Sequence, residues 1–116
     1  MIRFSGVILI CFSSNCFISC LIFLITPFDE KSLEELESIG VEAYKIASTD
    51  TTNLPFLLKV AATGKPIFLS TGMTYMEELM QVLIELERIN KNIIVMQCTA
   101  NYPIKNEEAN LNVIKT

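Results

Sequence analysis

The sequence has no histidine and no tryptophan, and it has only four glycines and four prolines in 116 residues. The absence of histidine excludes Ser-His-Asp and Cys-His catalytic groups, imidazole metal sites and histidine general bases within this chain. Because 51% of the residues are hydrophobic, the composition also excludes a low-complexity or disordered chain and supplies enough apolar surface for a core. Chemistry in this chain therefore has to come from lysine, carboxylates, hydroxyls and the backbone.

Positive charge and paired cysteines are scarce as well. Nine Lys and Arg stand against 13 Asp and Glu, and without a basic cluster we predict no nucleic-acid partner. The four cysteines, at positions 11, 16, 20 and 98, match neither a zinc frame nor a secreted disulfide framework. We interpret them as small buried hydrophobic residues in a reducing compartment. A length of 116 residues allows at most one domain, or a piece of a larger one.

The N-terminal stretch 6–25 carries no charge and has the length to cross a bilayer core of about 30 Å. Four polar residues in its middle, and no small-residue cleavage pattern, argue against a membrane or signal segment, so we expect no membrane partner. We favour a different interpretation, in which the run L-I-F-L-I at 21–25 is a buried parallel strand. Residues 1–20 then form an atypical apolar leader, and the alternatives of a membrane segment or a mistranslated segment stay open.

Strands and helices alternate regularly from residue 21 onward, as the spacing of apolar residues indicates. Strands are predicted at 21–25, 41–48, 66–70 and 92–97, each followed by a helix. The third helix is the best specified, with a capping box from Thr74 to Glu77 and a predicted buried stripe of Met76, Met80, Leu83 and Leu86. A last, weaker helix is predicted from about residue 105–108 to the C-terminus.

This alternation predicts an α/β fold with a parallel sheet and right-handed crossovers. Because no G-x-G-x-x-G and no Walker loop occurs, we favour a partial (β/α)8 TIM barrel of about four βα units over a doubly wound sheet, and we assign it to residues 21–116. A complete barrel needs about 250 residues. We therefore expect a fragment whose first and last strands have unpaired edges.

Polar residues gather where the predicted strands end, which is where ligands bind in parallel β/α folds. Hydroxyls, backbone N–H groups and one lysine are what a small phosphate or carboxylate anion needs. Asp29, Thr52 and Thr74 have a simpler explanation as helix caps. The strand-end residues are Thr26, Asp29, Lys45, Ser48, Thr49, Asp50, Ser70, Thr71, Gly72, Gln97, Cys98, Thr99, Asn101 and Tyr102.

Lys45 lies inside the apolar run A-Y-K-I-A, where strand alternation separates it from Tyr44 and Ile46. It is interpreted as an anion clamp or as a Schiff-base amine, which either a bound phosphate or a neighbouring carboxylate such as Asp50 holds charged. The structural alternative is a lysine that extends to the rim of the sheet. Tyr102 either orients a substrate hydroxyl or is exposed packing.

The segments TPFDEKSLEELESIGVEAYKIAS, TTNLP, GKPIFLSTGM, QCTANYP and EEANLNVI, in that order, resemble the sialic acid synthase (N-acetylneuraminate synthase) family over about residues 22–114. The resemblance implies a β/α barrel followed by an antifreeze-like domain, and a homodimer for the full-length protein. It also implies condensation of phosphoenolpyruvate with an N-acetylhexosamine such as N-acetylmannosamine, release of phosphate, and a divalent metal, Mn²⁺ or Mg²⁺. Since phosphoenolpyruvate is an intracellular metabolite, the expected location is the cytoplasm.

By the same resemblance, Thr26, Lys45, Ser48 and Ser70 contact phosphoenolpyruvate, while Asp50 and Tyr102 contact the sugar. Lys45 and Asp50 are the implied catalytic residues. The family's histidine metal ligands have no counterpart in this chain, so we assign no metal ligand and expect the chain alone to be inactive. Two alternatives stay open, a Schiff-base aldolase that uses Lys45 and a non-catalytic, membrane-anchored fragment.

Overall fold

The structure is a computed structural model that describes residues 8–11 and 21–115, with side chains from residue 22 onward. Its strands and helices alternate along most of the chain. In chain order they are β1 (Ile8–Cys11), β2 (Leu21–Ile25), α1 (Glu30–Ser38), β3 (Ala43–Ile46), α2 (Leu54–Ala62), β4 (Ile67–Ser70), α3 (Met76–Glu87) and β5 (Ile93–Met96).

The strands form one sheet in the order β1-β2-β3-β4-β5, in which β2 to β5 are parallel. This confirms the predicted α/β fold and all four predicted strands. β1, which lies in the segment predicted as a leader, pairs antiparallel with β2, so that Ile8 is opposite Leu24. The expectation that β2 has an unpaired edge is therefore wrong, because four residues upstream supply backbone partners for it.

The core lies between one face of the sheet and the three helices. Alternate residues of β3 and β4, such as Tyr44, Ile46 and Leu69, are fully buried there against Leu57 and Leu86. Lys45 and Phe68 are partners in the register and alternate with those core residues. Both therefore lie on the face of the sheet opposite the core, and the buried residues of α1, α2 and α3 pack on the core face.

Asp29 caps α1, as predicted. Its carboxylate accepts a hydrogen bond from the backbone N–H of Ser32, at 2.6 Å, and the Ser32 hydroxyl oxygen accepts one from the Asp29 N–H, at 3.1 Å. The other two predicted caps are wrong. The cap residue of α2 is Asn53, and that of α3 is Tyr75, whose backbone N–H donates to Glu78.

The predicted buried stripe of α3 is also wrong in part. Leu79, Val82 and Leu86 are the buried residues of this helix, whereas Met76 and Met80 are exposed. Apolar side chains cover a wide arc of α3. The way the helix packs on the sheet buries the side of that arc that contains Leu79 and leaves the side that contains Met80 exposed. Periodicity alone does not distinguish the two stripes.

The predicted last helix does not form. Two short 3-10 helices, Asn106–Glu108 and Leu111–Lys115, replace it. Asn110 between them has a left-handed backbone, with a φ of 47°, which interrupts any continuous helix. The fourth predicted βα unit therefore consists of a strand without its α-helix. Within 8–11 and 21–115, no helix has the length and apolar character to span a membrane.

Candidate functional site

The segments that follow β3, β4 and β5 meet at Gly72. The Gly72 backbone N–H donates to the Ser48 hydroxyl oxygen at 3.0 Å. A Cβ atom at Gly72 would lie 3.1 Å from that oxygen, 3.2 Å from the Ala100 nitrogen and 3.3 Å from the Cys98 Cβ. The close approach of three strand ends at this point therefore favours a residue without a side chain.

Side chains also connect neighbouring strand ends to one another. Thr51, which is fully buried, donates its hydroxyl proton to the carbonyl oxygen of Ser70 at 2.5 Å. Thr71 donates to the carbonyl oxygen of Met96 from both its hydroxyl, at 2.9 Å, and its backbone N–H, at 3.2 Å. These contacts hold the carboxyl ends of β3, β4 and β5 in fixed relative positions.

Two serine hydroxyls at this edge have protons that are not used in hydrogen bonds among the described residues. Ser70 is 1% exposed and its hydroxyl has no partner there. The Ser48 hydroxyl accepts from Gly72, and its own proton has no acceptor among residues 22–115. A buried hydroxyl without a partner is costly, so the pair is suited to donate to an anion.

Lys45 lies on the same face of the sheet as Ser70. Its register partner is Phe68, and Ser70 follows Phe68 by two residues on that face, which places Lys45 and Ser70 in diagonal positions. The lysine is half-buried, and no carboxylate among residues 22–115 lies within 4.0 Å of its ammonium group. Asp50, which the sequence offered beside a bound phosphate as a group that holds this lysine charged, forms no ion pair with it. The Asp50 carboxylate instead accepts from the Thr49 hydroxyl at 3.2 Å.

The remaining predicted residues lie in different surroundings. Thr26 directly follows β2 and is half-buried. Tyr102 is fully exposed, and its backbone N–H donates to the Asn101 side chain at 3.0 Å. The structure thus brings Lys45, Ser48 and Ser70 to the ends of adjacent strands, and it leaves the Tyr102 side chain in solvent.

Thr51 and Gly72 are the two site residues whose roles the sequence reasoning missed. Thr51 stands in the run S-T-D-T-T-N, and nothing in the sequence distinguishes it from Thr49 and Thr52. Gly72 carried a signal, because a glycine directly after a strand often marks a close backbone approach.

A second polar cluster lies at the opposite end of the strands. The buried Tyr44 hydroxyl and the Lys65 ammonium, the latter at 2.6 Å, both donate to the Glu37 carboxylate. Burial, and then the hydrogen bond to Glu37, raise the pKa of Tyr44. Burial by itself raises the pKa of Glu37, but the hydrogen bonds from Lys65 and Tyr44 and the Lys65 charge give a net lowering. This cluster joins α1, β3 and the start of β4, and its position indicates a role in stability.

A cavity of about 500 Å³ lies between α2 and α3. Thr52, Glu78 and Glu85 are among the residues that line it, and none of the strand-end serines or Lys45 does. We therefore do not assign the anion site to it. Within the described part of the chain, no three His, Cys, Asp or Glu side chains lie close enough together to hold a metal ion. The residues present do not fit the divalent metal site that the resemblance implies.

Comparison with known proteins gives consistent results. "Uncharacterized protein MJ1065" of Methanocaldococcus jannaschii is 44% identical over 97 residues, which are 83% of this chain and 29% of that protein. N-acetylneuraminate-9-phosphate synthase of Mus musculus is 39% identical over 92 residues, which are 79% of this chain and 26% of the enzyme. The crystal structure of N-acetylneuraminic acid synthetase from Leptospira borgpetersenii in complex with citrate has a TM-score of 0.74 at 34% identity, and covers 78% of this chain and 32% of its own.

The chain thus spans 26% to 29% of the length of these two curated relatives. The sequence profile of the NeuB family matches residues 9–116, a longer range than the predicted 22–114, and its start lies within the segment predicted as a leader. The sialic acid synthase resemblance is confirmed by this match and by the relatives. With the profile covering nearly every residue, the chain belongs to the NeuB family.

Proposed function

We propose that this chain is the phosphoenolpyruvate-binding part of a sialic acid-type synthase, folded as part of a (β/α)8 barrel. In the reaction, C3 of phosphoenolpyruvate bonds to the aldehyde carbon of an open-chain N-acetylhexosamine of the N-acetylmannosamine type. Water adds to C2, the bond between C2 and the phosphate oxygen breaks, and inorganic phosphate leaves. Membership of the NeuB family and the parallel sheet of four strands support this proposal.

The observation that carries the proposal is the buried, unpartnered hydroxyl of Ser70, which lies diagonal to Lys45 and two residues before the Gly72 N–H that binds Ser48. Phosphate oxygens accept hydrogen bonds from both serines, and the lysine charge offsets the charge of the anion. Thr26 is proposed as a further contact to phosphoenolpyruvate. Asp50 and Tyr102 are proposed as the sugar-side residues, and Lys45 and Asp50 as the catalytic ones.

We propose that the chain alone binds phosphoenolpyruvate without completing the condensation. The divalent metal that the family resemblance implies, Mn²⁺ or Mg²⁺, would polarise the sugar aldehyde, and the described residues supply no site for it. The proposed location is the cytoplasm, where phosphoenolpyruvate is available, and the full-length protein is proposed to be a homodimer.

The test is a calorimetric titration of the full chain with phosphoenolpyruvate. We expect saturable binding that weakens at least tenfold in Lys45→Met and in Ser70→Ala, because each removes a contact to the phosphorylated acid. Lys59→Met is the matched control, since Lys59 is an exposed lysine that pairs with Glu30 on the helical side. A folded chain without saturable binding, or an equal loss of binding in Lys59→Met, would overturn the proposal.

Borohydride reduction in the presence of pyruvate distinguishes this function from a Schiff-base aldolase. We expect no covalent adduct, because the proposed role of Lys45 is electrostatic. A mass increase on a peptide that contains Lys45 would favour the aldolase instead.

A further inference from the structure

We propose that Thr51 and Gly72 are positioning residues of the anion site, because they fix the Ser48 hydroxyl and the Ser70 main chain relative to each other. The inference rests on the proposed function, since the ligand that the two hydroxyls bind is phosphoenolpyruvate. Neither residue contacts the ligand in this proposal. Each acts through a serine on the neighbouring strand end.

Two hydrogen bonds cross between the segment after β3 and the end of β4, and they run in opposite directions. Gly72 donates from β4's end to the Ser48 hydroxyl oxygen at 3.0 Å, and Thr51 donates from the β3 segment to the Ser70 carbonyl oxygen at 2.5 Å. Thr51 is fully buried, so water does not compete for its hydroxyl. Two bonds at separate points fix both the distance and the relative rotation of the two segments.

The atoms used in these bonds leave the serine protons available. A hydroxyl has one proton and two lone pairs, and Ser48 uses a lone pair to accept from Gly72. Thr51 binds the main-chain oxygen of Ser70 and leaves its side-chain hydroxyl, which is buried without a partner. Both serines are therefore held by atoms that a phosphate group does not need, and both can donate to it.

Gly72 contributes through its small size as well as through its N–H. A Cβ atom there would lie 3.1 Å from the Ser48 hydroxyl oxygen and 3.2 Å from the Ala100 nitrogen, which is tighter than ordinary contact. A side chain at this position therefore requires the Ser48 hydroxyl or the segment after β5 to shift by a few tenths of an ångström.

The first test compares Thr51→Val, which keeps the shape of the side chain and removes its hydroxyl, with Thr51→Ser, which keeps the hydroxyl. We expect Thr51→Val to weaken phosphoenolpyruvate binding about fivefold. We expect Thr51→Ser to restore affinity to within about twofold of the unaltered chain. The matched control is Thr63→Val, which removes a hydrogen bond of 2.7 Å to the Val60 carbonyl at the end of α2. That variant is expected to unfold at a lower temperature and to bind phosphoenolpyruvate normally.

The second test needs no ligand. The Gly72 amide proton in a ¹⁵N-resolved NMR spectrum is expected to be protected from exchange, and to shift upfield and exchange faster in Ser48→Ala. Unchanged Gly72 exchange in that variant would overturn the positioning role, as would Thr51→Val binding as tightly as the unaltered chain, or Thr63→Val losing affinity equally. Failure of the unaltered chain to bind phosphoenolpyruvate would overturn the proposed function and this inference together.

Discussion

At the scale of single residues, Glu37 shows how one carboxylate connects three elements. It accepts hydrogen bonds from Tyr44 in β3 and from Lys65 before β4, while itself lying in α1. Lys65 also lies 5.7 Å from the centre of the Tyr44 ring, on its face. The hydrogen bonds from Tyr44 and Lys65, and the charge of Lys65, favour the ionised form of Glu37.

The lowered pKa of Glu37 predicts an acid-sensitive contribution to stability. A carboxylate with a depressed pKa in the folded state stabilises the fold above its ordinary pKa of 4.5, and this contribution is lost as the pH falls through the folded value. Glu37→Gln is therefore expected to be less stable than the unaltered chain at pH 7, with a difference that shrinks below pH 4.5. Urea unfolding across this range measures it.

The matched control for that experiment is Glu85→Gln. Glu85 forms an exposed ion pair with Arg88 on the surface of α3, and such pairs contribute little. A stability difference for Glu37→Gln that stays constant with pH, or that equals the one for Glu85→Gln, would contradict the assignment.

Asn90, which is buried, is a second residue that stabilises the fold through hydrogen bonds, one to a carbonyl 25 positions away and one from the nearby Asn92 N–H. It is 3% exposed, its amide donates to the Lys65 carbonyl at 2.8 Å, and its oxygen accepts from the Asn92 N–H at 2.8 Å. Asn90→Ala leaves both groups without a partner and is expected to cost about 1–2 kcal/mol in urea unfolding.

Asn53→Ala serves as the comparison for that substitution. Asn53 precedes α2 without a side-chain capping bond, so its replacement is expected to change the unfolding free energy by less than about 0.5 kcal/mol. Equal costs for the two substitutions would show that the Asn90 contacts contribute nothing.

At the scale of elements, α3 carries apolar residues over more of its surface than the core covers. Leu86 is fully buried, whereas Met80 is 51% exposed. Leu86→Ala is therefore expected to cost about 3 kcal/mol in urea unfolding, and Met80→Ala less than about 0.5 kcal/mol. The predicted stripe contained both residues, so a cost for Met80→Ala as large as that for Leu86→Ala would contradict the burial seen in the structure.

The elements differ in how far the sequence predicts them, and the reasons are physical. The four parallel strands are short, largely apolar runs between turn residues, and helical patterns separate them along the chain, which is typical of a parallel sheet. The buried side of α3 depends on how the crossover orients the helix, which the helix sequence does not contain. The predicted last helix failed because the left-handed backbone of Asn110 divides the segment. β1 was missed because its apolar residues fit a leader equally well.

In the candidate site, too, some residues are predictable from the sequence and the contacts between them are not. Lys45, Ser48 and Ser70 follow from the position of polar residues at predicted strand ends. The hydrogen bond from Thr51 to Ser70 joins residues 19 positions apart, and a sequence pattern does not reveal such a pairing. This hydrogen bond and the one from Gly72 to Ser48 both depend on how β3 and β4 pair in the sheet.

At the scale of the whole molecule, the sheet has an exposed apolar edge at β5. Ile94 is 42% and Val95 is 43% exposed, and the strand contains neither charge nor proline. Exposed edges of this kind promote association. Val95→Lys is expected to raise the concentration at which light scattering detects aggregates. The same change at Ile39, an isolated exposed residue at the end of α1, is expected to have little effect.

The opposite edge has a different consequence. In a closed barrel, every strand accepts a neighbour that runs in its own direction. On its outer side, β2 is already bonded to β1, which runs the other way. A parallel strand therefore joins the sheet on that side only in place of β1, because β1 occupies the outer hydrogen-bonding groups of β2.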